Sequence, residues 1–276
     1  METEIQMREL IDAHGLSHLK DELLARVRPT VFFSVAAAGQ GECVSRIGGA
    51  PDLPEGTPWP VDEQGEALSF ALQINLADIP QFDGNPFPEV GLLSVFVGLD
   101  EPATDIAHRI FLFSDLQKCK RRELPMETAN ETIGEILPHH LNVSVGPGLP
   151  RWATNEEVVL TEDLSEEDQG RYEQLVNALE PESVVRLLGH AAGIGHDPRE
   201  DAYVVREVNA EWLYDYVQRS ALDMGQADHW LHLLTINSDY DIDLGIWDAG
   251  YLQLLIKDTD LLALEFGRVY AAVESS

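Results

Sequence analysis

Asp239, Asp241 and Asp243 stand at alternate positions in NSDYDIDLGIWDAGY, residues 237–251. Carboxylates so spaced can point at one centre if the backbone curls, and a calcium ion takes six to eight such oxygens. They match positions one, three and five of an EF-hand loop. Position six, which needs glycine, is Leu244, and the glycine comes one residue late at Gly245. Position twelve, which needs a bidentate glutamate, is Gly250, so an EF-hand is excluded. Two readings stay open: a looser site for a divalent cation, calcium or magnesium, or a solvated acidic loop between two strands. No other cofactor is expected.

Other chemistry-bearing residues give less. His14 and His18 are one helical turn apart but have Gly15 between them and no H-E-x-x-H around them. His139–His140, His190–His196 and His229–His232 could ligate a metal or do acid–base work, but surface or core histidines are the usual outcome of such spacings. Cys43 and Cys119 are the only cysteines, and neither lies in a C-x-x-C, so spacing supports neither a zinc–thiolate site nor a disulfide framework. There is no G-x-S-x-G elbow, no Walker A motif and no G-x-G-x-x-G after a strand. Paired carboxylates could still serve as acid and base, but among 49 acidic residues pairs arise by chance.

Charge narrows the partners. Eighteen Lys and Arg against 49 Asp and Glu give a net charge of -31, spread over the whole chain. Nucleic acid and anionic membranes both demand a cationic face, so neither is expected as a ligand. A basic protein is the expected partner, and a saline habitat is the other account of the acidity. The N-terminus METEIQMREL lacks the charged and apolar regions of a secretory signal, and no apolar run reaches 18 residues. A cytoplasmic protein is expected.

The elements that must position these residues follow from periodicity. Residues 3–13 and 17–27 show helical spacing, with Ser17 as a cap. Strands are expected at 30–37, 68–75, 91–98, 108–114, 184–190, 230–237 and 251–258, with RVYAAVES closing the chain as another. Helices are expected from a cap at Ser165 to about 180, over 201–220, and briefly after Asp260. The stretch 38–66 is rich in glycine and proline and reads as a long loop, packed by Arg46 and Trp59.

One echo runs through the sequence. LSFALQIN (68–75) precedes GLLSVFVG, and WLHLLTIN (230–237) precedes GYLQLLIK. This is either a repeat of two β-units building one antiparallel core, or the ordinary likeness of strand pairs. The strand–helix alternation of a parallel sheet is absent, so the expected fold is α+β with a mainly antiparallel core and peripheral helices. Residues 1–28 form an N-terminal helical segment, and 29–276 a single domain.

The order of the short motifs resembles that of the YwqG-like family, bacterial proteins of unknown function. The residues concerned are Gly48, Gly49, Pro51, Leu53, Pro54, Trp59, Pro60, Gln73, Ile74, Asn75, Ser238, Asp239, Trp247, Asp248, Ala249 and Gly250. Trp-Asp-Ala-Gly lacks the family's middle glycine, and Thr235 stands where a glutamine is often seen. The resemblance implies an α+β protein with an antiparallel core. It carries over no catalytic residue, and implies association with toxin-neutralising factors for some members.

Two functions follow. One is a non-catalytic binding protein with an acidic face. The other is a metal-dependent hydrolase or small-molecule enzyme with a site between the 46–59 and 239–248 loops. The candidate binding residues are Arg46, Trp59, Gln73, Asn75, Asp239, Asp241, Asp243 and Asp248. Trp247, Asp248 and Gly250 are expected to be framework: Trp247 in the core, Asp248 capping nearby N–H groups, Gly250 allowing a tight turn.

Overall fold

A computed structural model describes residues 2–36, 41–98, 103–123, 136–151, 164–194 and 196–275. Twelve strands are described: β1 (Arg28–Val35), β2 (Arg46–Ile47), β3 (Asp52–Pro54), β4 (Ser69–Asn75), β5 (Leu92–Val97), β6 (His108–Phe113), β7 (Cys119–Arg121), β8 (His139–Gly148), β9 (Val185–Leu188), β10 (Trp230–Asn237), β11 (Tyr251–Lys257) and β12 (Tyr270–Glu274). Ten form one antiparallel sheet in the order β12-β11-β10-β9-β1-β8-β2-β4-β5-β6, and β3 pairs with β7.

The sheet comes close to a closed barrel. Ile106 N–H donates to the Ala271 carbonyl at 2.9 Å, and Val273 N–H donates to the Ala103 carbonyl at 2.7 Å. The segment leading into β6 thereby covers β12, satisfying an edge that would otherwise invite pairing with another chain. Strand alternation fills the interior with Val31, Phe33, Leu72, Ile74, Leu93, Val95, Val185, Leu187, Leu234, Ile236, Leu252 and Leu254, all in one cluster. Most residues of β4, β5 and β11 are buried on both faces, because further layers cover the barrel outside. Leu53 and Trp59 lie over Leu68, Phe70 and Phe96. Ala191 and Ala202 lie over Trp230, Leu255 and Tyr270. Three helices, α1 (Glu2–Ala13), α2 (Lys20–Arg26) and α3 (Glu166–Leu179), pack together around Ile11, Leu23, Leu149 and Leu175. No described helix is long and apolar enough to cross a membrane.

The echo is a structural repeat about an axis between β1 and β8. On one side run β2, β4, β5, β6; on the other, β9, β10, β11, β12. Across the outer face, Arg46 pairs with Gln73 and Gln73 with Ser94. In the other half Arg186 pairs with Thr235 and Thr235 with Gln253. Asn75 and Asn237, which end the matching strands, each donate from the side chain to a backbone carbonyl: those of Cys43 at 2.9 Å and Ser183 at 3.0 Å.

The chain departs from the expected elements in several places. Ser17 does not cap the second helix: its hydroxyl donates to Asp12, and α2 starts at Lys20 with Leu19 at its cap. The long strand β8 lies where no element was expected. The helix expected at 201–220 is a short α-helix, α4 (Pro198–Tyr203), then a π-turn over Val204–Asn209, a 3-10 turn over Ala210–Trp212 and one turn at Tyr216–Arg219. Asn209 and Asp215 each cap a new start, and their side chains compete with the helix ladder. The first strand begins at Arg28, two residues earlier than its periodicity suggests, and Ala37 lies outside the described residues.

Candidate functional site

Asp52 accepts hydrogen bonds from four different residues. It is fully buried on β3. Its Oδ2 accepts from Arg46 Nη1, Gln73 Nε2 and Cys43 N–H, each at 2.8 Å, and its Oδ1 accepts from Arg121 Nε at 2.8 Å. Gln73 Oε1 accepts the Asp52 N–H at 3.0 Å, and Gln73 Nε2 also donates to the Val44 carbonyl at 2.9 Å. Burial pushes the Asp52 carboxyl up, but the donors from Arg46, Arg121 and Gln73 outweigh it and hold it at about 2. Gly48 makes this geometry reachable. Its φ is +71°, and a Cβ there would lie 2.7 Å from the carbonyls of Ile136 and Leu137.

Of the residues singled out from sequence, Arg46 and Gln73 therefore belong to a closed hub, with Arg46 only 1 % exposed and Gln73 wholly buried. Trp59 Nε1 donates to the Leu68 carbonyl at 2.9 Å, and its ring meets Phe96 edge-on at 5.4 Å. Asn75 ties β4 to the Cys43 segment and caps the turn that follows. These four hold the long loop onto the barrel.

The second half is built differently. The position matching Asp52 is Ala192, whose N–H donates to Gln253 Oε1 and whose carbonyl accepts from Gln253 Nε2, both at 2.8 Å. The glutamine has moved one strand over, from the Gln73 position to the Ser94 position, and still grips the corresponding backbone. Lacking a carboxylate at Ala192, Arg186 turns to Glu180 at 3.2 Å. A void of about 10 Å³, room for one water, is lined by residues including Thr30, Arg186, His190, Ala192 and His232. His232 Nδ1 donates to the Leu188 carbonyl at 2.7 Å, and its Nε2 accepts from Thr235 Oγ1 at 2.7 Å.

The 238–250 loop lies in the other half of the barrel from the 46–59 loop, with β9, β1, β8 and β2 between β10 and β4. No hydrogen bond or ion pair among the described residues joins the two loops. Asp239 caps a 3-10 turn (Tyr240–Ile242), its carboxylate accepting Asp241 N–H at 3.0 Å. Asp241, Asp243 and Asp248 are exposed, and no three His, Cys, Asp or Glu side chains among the described residues are grouped to hold a metal ion.

The roles expected of Trp247 and Asp248 need correction. Trp247 is 47 % exposed rather than in the core, because a left-handed backbone at Asp243, Trp247 and Ala249 turns it outward. Asp248 caps no N–H group among the described residues; the loop is held instead by Ser238, whose Oγ donates to the Gly250 carbonyl at 2.7 Å and accepts Ile246 N–H at 2.9 Å. Gly250 is needed for close packing, since a Cβ there would lie 2.4 Å from the Glu274 carbonyl. Asp239→Ala should accordingly cost about 1 kcal/mol through the lost cap. Asp248→Ala and Asp241→Ala should stay within about 0.5 kcal/mol of wild type. Urea unfolding of the three variants checks this order, and an Asp248→Ala loss as large as that of Asp239→Ala would contradict it.

Comparison with known sequences matches the profile of DUF1963, a domain of unknown function, to residues 45–274. The chain belongs to that family. No curated protein matches it. The DUF1963 match spans both repeats yet starts after β1, the strand that joins β8 to β9 at the centre of the sheet. The DUF1963 region of this chain therefore completes its sheet with a strand from outside the match.

Sequence reasoning missed Asp52, Arg121, Arg186 and Gln253, and named His232 without finding its role. Asp52 lies between Pro51 and Leu53 of the family motif, at a position the motif leaves open. Arg186 and Gln253 were within reach of the echo, had it been extended back from the strand pairs to SRIGG and VRLLG.

Proposed function

We propose that this DUF1963 protein, of the YwqG-like kind its motifs resemble, is a non-catalytic binding protein that captures a Lys- or Arg-rich segment of a partner protein on the 238–250 loop. The observation that carries the reading is the exposure of Tyr240 and Trp247, at 65 % and 47 %, among the exposed carboxylates of Asp241, Asp243 and Asp248. Aromatic faces beside carboxylates suit guanidinium and ammonium groups, through cation–π contact and charge-assisted hydrogen bonds. Three non-glycine residues in the loop have positive φ: 57° at Asp243, 49° at Trp247 and 54° at Ala249. Such conformations cost about 1 kcal/mol or more each, and strain of this kind gathers at binding sites. The net charge of -31 would speed encounter with a basic partner. Neutralising a basic toxin is one role of this chemistry, and the resemblance points the same way.

Fluorescence polarisation of a labelled Arg-rich peptide tests the reading. Trp247→Ala should weaken binding roughly tenfold, about 1.4 kcal/mol. Asp241→Asn with Asp243→Asn should weaken it and flatten its salt dependence. Equal affinity for wild type and both variants would remove the loop from the reading. Thermal unfolding with calcium or magnesium at matched ionic strength separates the metal-dependent enzyme: a cation-specific rise in Tm, lost in the Asp241/Asp243 variant, would favour it.

A further inference from the structure

The fold brings together the chain's two cysteines, 76 residues apart in sequence. Cys43 precedes β2, and Cys119 opens β7, the strand that pairs with β3. Cys43 Sγ approaches the Leu116 carbonyl at 3.5 Å and the Cys119 carbonyl at 3.9 Å, so it lies against the backbone of the residue that carries the second thiol. Neither is bridged. The segments that carry them are already tied to one group: Cys43 N–H and Arg121 Nε both donate to Asp52. Arg121 Nη2 also donates to the Gly41 carbonyl at 2.7 Å, and Lys120 pairs with Glu42 at 2.8 Å. Both backbones are thus held in place before any bond forms between the sulfurs.

We infer that Cys43 and Cys119 are a modification site: a dithiol that a low-molecular-weight disulfide oxidises to an intramolecular disulfide across the Asp52 hub. Cys43 is half-buried and Cys119 is 1 % exposed, so Cys43 reacts first. Its thiolate attacks one sulfur of the reagent, forming a mixed disulfide and expelling a thiolate. The Cys119 thiolate then attacks the Cys43 sulfur, forming the Cys43–Cys119 bond and expelling the second thiolate. The two protons lost by the cysteines end on the two released thiols, and the two electrons end on the reduced reagent. Burial pushes both thiols up, that of Cys119 to about 11. Exchange is therefore slow at neutral pH and faster as pH rises, because the thiolate is the nucleophile. The product closes a long loop between the cysteines, which restricts the unfolded chain.

The test uses the full chain with glutathione disulfide at mildly alkaline pH, read by intact mass and by thiol titration after denaturation. The expected product has lost two hydrogens, has no free thiol, and melts at least several degrees above the reduced form. Dithiothreitol should reverse all three changes. Cys119→Ser should stop at the mixed disulfide, with one glutathione on Cys43, and Cys119→Ala should do the same should serine disturb the packing. Persistence of two free thiols, or a wild-type product carrying two glutathiones, would overturn the inference.

Discussion

Asp52→Ala should lower the unfolding free energy by roughly 3–5 kcal/mol, the range for removing one partner of a buried ion pair. The loss comes from what the carboxylate leaves behind. Arg46 is 1 % exposed, and its remaining hydrogen-bond partner is the Ala50 carbonyl, so most of a buried positive charge would stand uncompensated. Gln73 would lose one acceptor and Arg121 its Asp52 carboxylate, loosening β7 from β3. Asp52→Asn keeps the volume and one acceptor and should cost less. The same carboxyl sets an acid limit. Held at about 2 in the fold and near 4 when unfolded, it contributes its stability above about pH 4 and loses it as pH falls toward 2. Urea midpoints at neutral pH measure the first effect. A shift worth under about 1 kcal/mol would mean that the hub is not what holds the long loop down.

Much of the barrel was legible in the sequence because its strands are short apolar runs ending in polar residues. The matched Asn75 and Asn237 even marked the repeat. What stayed illegible was lateral. Whether LSFALQIN stands beside SRIGG, and WLHLLTIN beside VRLLG, depends on registers that no local period encodes. For that reason Arg46 and Gln73 could be singled out as candidate site residues, while Asp52, which consumes their hydrogen bonds, could not. The Cys43–Cys119 approach was hidden similarly: it needs β3 to meet β7 across a long separation, and a C-x-x-C search sees only neighbours. Trp247 was misplaced for another reason. A tryptophan that carries the family motif reads as core framework, and only the left-handed backbone, which composition does not announce, turns it to solvent. The acidic loop was readable as acidic, but its division of labour depends on which aspartate faces an N–H.

His232 makes the second large effect, and its direction follows from its two bonds. Nδ1 donates to the Leu188 carbonyl and Nε2 accepts from Thr235, so the buried ring is neutral. A proton on Nε2 would force the Thr235 hydroxyl to turn from donor to acceptor, and would put a buried charge close to the Arg186 guanidinium. Burial first, and Arg186 second, push the ring down to about 3. In the unfolded chain it titrates near 6.5, so the unfolded state takes up the proton first. Its contribution is therefore complete above pH 6.5 and lost as pH falls from there toward 3, at up to about 1.4 kcal/mol per pH unit. At pH 5 the protein should be about 2 kcal/mol less stable than at pH 7 through this residue. His190, pushed down to about 3 by burial and by Arg28, acts in the same sense. His196 acts oppositely: the Asp201 carboxylate raises it to about 9, so its contribution is present in acid and fades as pH rises through 9. Urea unfolding from pH 7 to pH 4.5, compared between wild type and His232→Gln, isolates the term. The variant should be less stable at pH 7 yet lose less on acidification, and parallel profiles would show that His232 is protonated in the fold.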